Sequence, residues 1–73
     1  MLTIEERWTN YRLRRIDHGT PPERLQELRT AYYAGFRGML DATRELSELD
    51  EYVARSLLER LHIESRRFGK GIR

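Results

Sequence analysis

The strongest constraint in the chain is a helix start followed by a long unbroken stripe. In "TPPE", Thr20 offers an N-cap, Pro21 and Pro22 occupy the first turn, where no amide donor is needed, and Glu23 completes a capping box. From Leu25 the stripe positions run 25, 28, 32, 35, 36, 39, 40, 43 and 46, the pattern of a helix from 21 to about 46. Glu23, Gln26, Glu27, Thr30, Arg37, Asp41 and Arg44 fall on the other side. Such a helix is about 39 Å long at ~1.5 Å per residue. It needs neighbours along its length to bury its stripe.

Two further helices are predicted around it. Thr3 and Glu6 form a T-x-x-E capping box, and Ile4, Trp8 and Tyr11 follow at helical spacing, so a first helix covers about 4–15. Leu13 lies on the opposite face, which places the end or a bend before Ile16, and "DHG" at 17–19 closes the segment with Gly19 as a left-handed cap. In "RELSELDE", Ser47 is the expected cap of a third helix over about 48–68, with Val53, Ala54, Leu57, Leu58, Leu61 and Phe68 on one face. It is expected to end before Gly69, leaving residues 69–73 as a basic tail. The predicted fold class is all-α: a single domain over 1–73, built as a long antiparallel helical hairpin with the shorter N-terminal helix packed across it.

A chain of 73 residues with 38% hydrophobic content has room for only a thin core. Domains of this size draw on disulfides, metals or partner subunits for part of their stability. With no cysteine, and with His18 and His62 far apart, disulfides and a histidine–thiolate metal site are both excluded. A homo-oligomer is the expected remedy. No uncharged run approaches a membrane span, and "MLTIEER" carries acids where a signal peptide carries bases, so a protein of the host-cell cytoplasm is expected. No glycine-rich phosphate loop, G-x-S-x-G or H-E-x-x-H is present. The expectation is a non-enzyme with no catalytic residue, metal or cofactor.

Net charge is only +2, yet of 14 basic residues all but Lys70 are arginine, the side chain suited to phosphate and carboxylate. A GC-rich genome favours arginine as well. Sign is segregated: Arg7, Arg12, Arg14 and Arg15 crowd the first segment, Arg66, Arg67, Lys70 and Arg73 the last, and Asp41, Glu45, Glu48, Asp50 and Glu51 the middle.

The candidate site residues come from two places. On the first helix, Trp8, Tyr11, Arg12 and Arg15 interleave rings with guanidiniums, a mixture that can stack a base and bind its phosphate, although Trp8 and Tyr11 also serve to pack the helix. In "LRTAYYAGFRGML", Arg29 falls inside the apolar arc; it either snorkels to an acid such as Glu64 or a carbonyl, or lines a pocket with Tyr33. Ala31, Gly35 and Gly38 form a strip poor in side chains, and each glycine costs about 1 kcal/mol of helix propensity. That strip is expected to admit a close neighbour, either within the chain or in a self-association seam.

At "ERWTNYR" and "LQELRTAYYAGFRGML" the chain resembles a group of small proteins of temperate bacteriophages and prophages. They carry a W-x-x-[FY]-R opening and a later E-[LM]-R-x-A-[FY]-Y-A-G stretch, matched here by Trp8, Tyr11, Arg12, Glu27, Arg29, Ala31, Tyr32, Tyr33, Ala34 and Gly35. The architecture is also similar, at the level of fold, to phage anti-CBASS and anti-Thoeris helical-hairpin sponges, homo-oligomers that sequester cyclic nucleotides. The first resemblance implies a phage origin and not a mechanism, and the second carries over no ligand residue. The reading expected from the residues is a non-enzymatic phage accessory protein that antagonises host immunity, binding a phosphate-bearing nucleotide through Tyr11, Arg12, Arg15, Arg29 and Tyr33 at a subunit interface; the alternative is a protein-interaction inhibitor of a host defence complex or an accessory of phage development. Nucleic-acid binding through the basic ends is a further, weaker reading.

Overall fold

Capping decides where each helix begins. Thr3 Oγ1 accepts from the Glu6 amide at 3.1 Å, and a Glu6 carboxylate oxygen accepts from the Thr3 amide at 2.9 Å, the predicted reciprocal box. α1 (Ile4–Arg15) therefore starts as expected. It ends where Ile16 turns extended and donates its amide to the Arg12 carbonyl.

The second start differs from expectation. α2 (Pro22–Ser47) opens with Pro21 in the cap position, the Leu25 amide donating to the Pro21 carbonyl at 2.9 Å. Thr20 is not the cap: its hydroxyl donates backwards to the Asp17 carbonyl at 2.7 Å. Asp17 organises the whole corner, because its carboxylate also accepts from the Gly19 amide at 2.9 Å. That turn uses ordinary backbone, and no described glycine has positive φ, so Gly19 is not a left-handed cap.

The third start also moves. Ser47 belongs to the last turn of α2, where its hydroxyl donates to the Arg44 carbonyl at 2.6 Å. Asp50 caps α3 (Glu51–Gly71), accepting from the Tyr52 amide at 2.9 Å. A carboxylate there also suits the positive end of the helix dipole. Gly69 does not end the helix, which continues through Gly71.

A computed structural model describes residues 1–71, with side chains described as far as residue 69. The predicted basic tail thus falls partly outside the described residues: the Lys70 side chain, Ile72 and Arg73 lie there. Most of the described residues are helical, none of them forms a strand, and no helix is long and apolar enough to cross a membrane.

The chain divides into two compact units, Met1–Leu40 and Asp41–Arg73, and α2 runs through the boundary. In the first unit α1 packs on α2 through Trp8, which is 4% exposed and is the single buried hydrophobic side chain among the described residues. Its ring lies 5.5 Å from Tyr32 and 6.2 Å from Tyr11, and Tyr11 and Tyr32 lie 5.3 Å apart. Burying one tryptophan gains at most about 4–6 kcal/mol, on the scale of a small domain's whole stability. One side chain therefore anchors α1.

The glycine strip does not pack within the chain. Gly35 and Gly38 are exposed, and a methyl group added at either meets no atom within 4 Å. Ala31 is exposed too. The expected close approach of another helix of the same chain is corrected accordingly.

In the second unit Ala42 and Leu46 of α2 and Leu57 and Leu61 of α3 line one open groove, with Leu49 from the turn between the helices. No described side chain of this unit is buried. Along α3 only Ala54 and Leu57 are half-buried, and every described residue from Leu58 onward is exposed.

Candidate functional site

Helical spacing builds the site in the first unit. Glu5, Trp8, Thr9 and Arg12 stand at i, i+3, i+4 and i+7 on α1, and Pro22, Leu25, Gln26 and Arg29 repeat that spacing on α2. The two four-residue faces enclose an open cleft of about 300 Å³. Trp8 and Leu25 form its apolar floor, and the polar groups stand around them.

Arg12 and Arg29 are both half-buried in this cleft. The ion pairs among the described residues are Arg24–Glu27 and Arg55–Glu51, both at 3.1 Å and both exposed. Neither Arg12 nor Arg29 has an acid or hydrogen-bond partner among the described residues. Arg29 instead sits over the Tyr33 ring, with its guanidinium carbon 5.5 Å from the centroid. Cation–π contact of this kind holds the head in place without neutralising it. Of the neighbours expected for Arg29, Tyr33, in the same unit, is the one in contact.

The predicted site residues thus separate. Arg12 and Arg29 share the cleft, and Tyr33 orients Arg29 while lining a shallower hollow with Ile4, Ala34, Arg37 and Leu40. Tyr11 belongs to the ring cluster around Trp8 and not to the cleft wall. Arg15 is exposed in the last turn of α1 and lies outside the cleft. Glu5, Thr9 and Gln26 are lining residues that sequence reasoning missed. Their signal was the repeated i, i+4, i+7 spacing to the two arginines, on a face of α2 that the apolar stripe had assigned to solvent.

Electrostatically the cleft carries two cations against the single carboxylate of Glu5. Pro22 places the first turn of α2, the positive end of its dipole, at the rim. Gln26 adds a carboxamide and Thr9 a hydroxyl. The arrangement can hold an oxyanion against an apolar floor. Among the described residues no group of three or more His, Asp and Glu is placed to hold a metal ion. No protein family, curated protein or solved structure matches the chain.

Proposed function

We propose that the chain is a non-enzymatic binding protein whose α1–α2 cleft captures the phosphate of a nucleotide-type ligand. The single observation that carries this reading is the pair Arg12 and Arg29, half-buried in one cleft and without an acid partner among the described residues. A guanidinium drawn out of water without a counter-charge is costly unless an anion supplies one. Two of them around a volume of about 300 Å³ suit phosphate, which each can meet in a bidentate fork. That volume is at the lower limit of small-molecule sites, so the cleft holds a phosphate with its adjoining sugar or base edge. In the phage setting that the sequence resemblance suggests, such a ligand would be a cyclic nucleotide signal on which host defence relies.

Calorimetric titration with cyclic di- and trinucleotides, and with inorganic phosphate as the minimal probe, tests the proposal. Saturable binding is expected, weakened about ten- to hundredfold by Arg12→Gln or Arg29→Gln, the loss of one charge-assisted contact. Arg15→Gln should bind as the native chain does. Absence of heat with every phosphate compound, or cleft variants that bind normally, would remove the proposal.

A further inference from the structure

We infer that a second copy of this chain docks on the second unit, its α3 lying antiparallel to α3 of the first about a two-fold axis. This interface does not depend on the anion-binding reading, whose cleft lies wholly in the first unit.

Exposed apolar surface is the first reason. Much of the unpartnered apolar surface is on α3 and its approach. Phe68 is 72% exposed, and Val53, Leu58 and Leu61, which share its face, are exposed as well, with Leu49 exposed in the turn before the helix. An unpartnered apolar stripe on a helix of 21 residues is the mark of an interaction site. The groove beside it has a volume of about 890 Å³, is open along one side, and is floored by Leu46, Leu57 and Leu61.

Charge decides what covers it. Glu45 and Glu48 stand at the groove rim near the start of α3, with Asp50 and Glu51 beside them; Arg60 and Glu64 line the groove further along as one charge of each sign, and Arg66 and Arg67 stand exposed toward the end of the helix. Arg66 and Arg67 have no ion-pair partner among the described residues. Antiparallel pairing brings the basic end of each α3 to the acidic end of the other, twice over, and lets Leu57 of each copy meet Leu61 of its mate. A parallel pairing would set acid against acid. An isologous contact uses one self-complementary patch on both copies, and this patch carries both halves of its own charge pattern.

Sedimentation of the full chain over a concentration series tests the interface. A species of twice the 8.8 kDa chain mass is expected. Leu61→Glu should raise the dimer dissociation constant about a hundredfold or more, since both copies lose an apolar contact. Glu48→Arg and Arg67→Glu should each weaken the dimer several-fold and restore it when combined. Far-UV circular dichroism of the combined variant confirms that folding is retained. Native chain that stays at 8.8 kDa throughout overturns the inference. A dimer that survives Leu61→Glu but is broken by Gly35→Leu overturns it as well, placing the seam on the glycine strip. Charge reversals that add instead of cancelling overturn the antiparallel register.

Discussion

Arg12 and Arg29 show how far residue type alone carries a functional reading. Both were singled out as arginines beside aromatic rings, and both stand in one cleft. What no single-helix pattern contains is the angle at which α1 meets α2, and that angle decides that Gln26 faces the cleft while Arg15 does not. Gly35 and Gly38 teach the opposite lesson. Their spacing suggests a seam, yet apart from the adjoining residues and the helix's own backbone no described atom lies within 4 Å of where a methyl group would go. With open space there, alanine restores helix propensity and restricts the unfolded chain. Gly35→Ala and Gly38→Ala are each expected to stabilise the protein by about 0.5–1 kcal/mol, read as a higher melting temperature. A fall in melting temperature for either would place a neighbour against the strip.

Among the elements, α1 was the most legible, because every partner of its start lies within four residues. The Thr3–Glu6 box also makes that start pH-sensitive. Hydrogen bonding from the Thr3 amide, then from the Thr3 side chain, holds the Glu6 carboxyl below its ordinary value, with a smaller contribution from Arg7. A depressed carboxylate contributes stability that is full above its unfolded value and is lost as pH falls through its folded value. The α1 amides are therefore expected to exchange faster as pH drops below the ordinary carboxylate range, after correction for intrinsic rates. Glu6→Gln should flatten that dependence; an unchanged dependence would mean that another group controls it. The starts of α2 and α3 were less legible for a shared reason. Thr20 has Asp17 within reach and Ser47 has the Arg44 carbonyl, so each hydroxyl has a competing local partner, and capping falls to Pro21 and Asp50.

At the scale of the whole molecule, helical class was fully legible from periodicity, and the scarcity of core from length and composition. Where that scarcity falls was not. The first unit has Trp8 and its ring cluster to hold it, whereas the second has amphipathic helix and, among the described residues, no buried side chain. Helix patterning reports that a face is apolar, and says nothing of whether the same chain or another copy covers it. The two proposals divide accordingly: the proposed anion cleft lies in the unit with a core, and the inferred assembly runs through the unit without one. Hydrogen exchange of α3 amides at several protein concentrations tests this most directly. Protection of residues 58–69, all exposed in the single chain, is expected to fall on dilution as the second copy leaves. Protection that is the same at every concentration would contradict it.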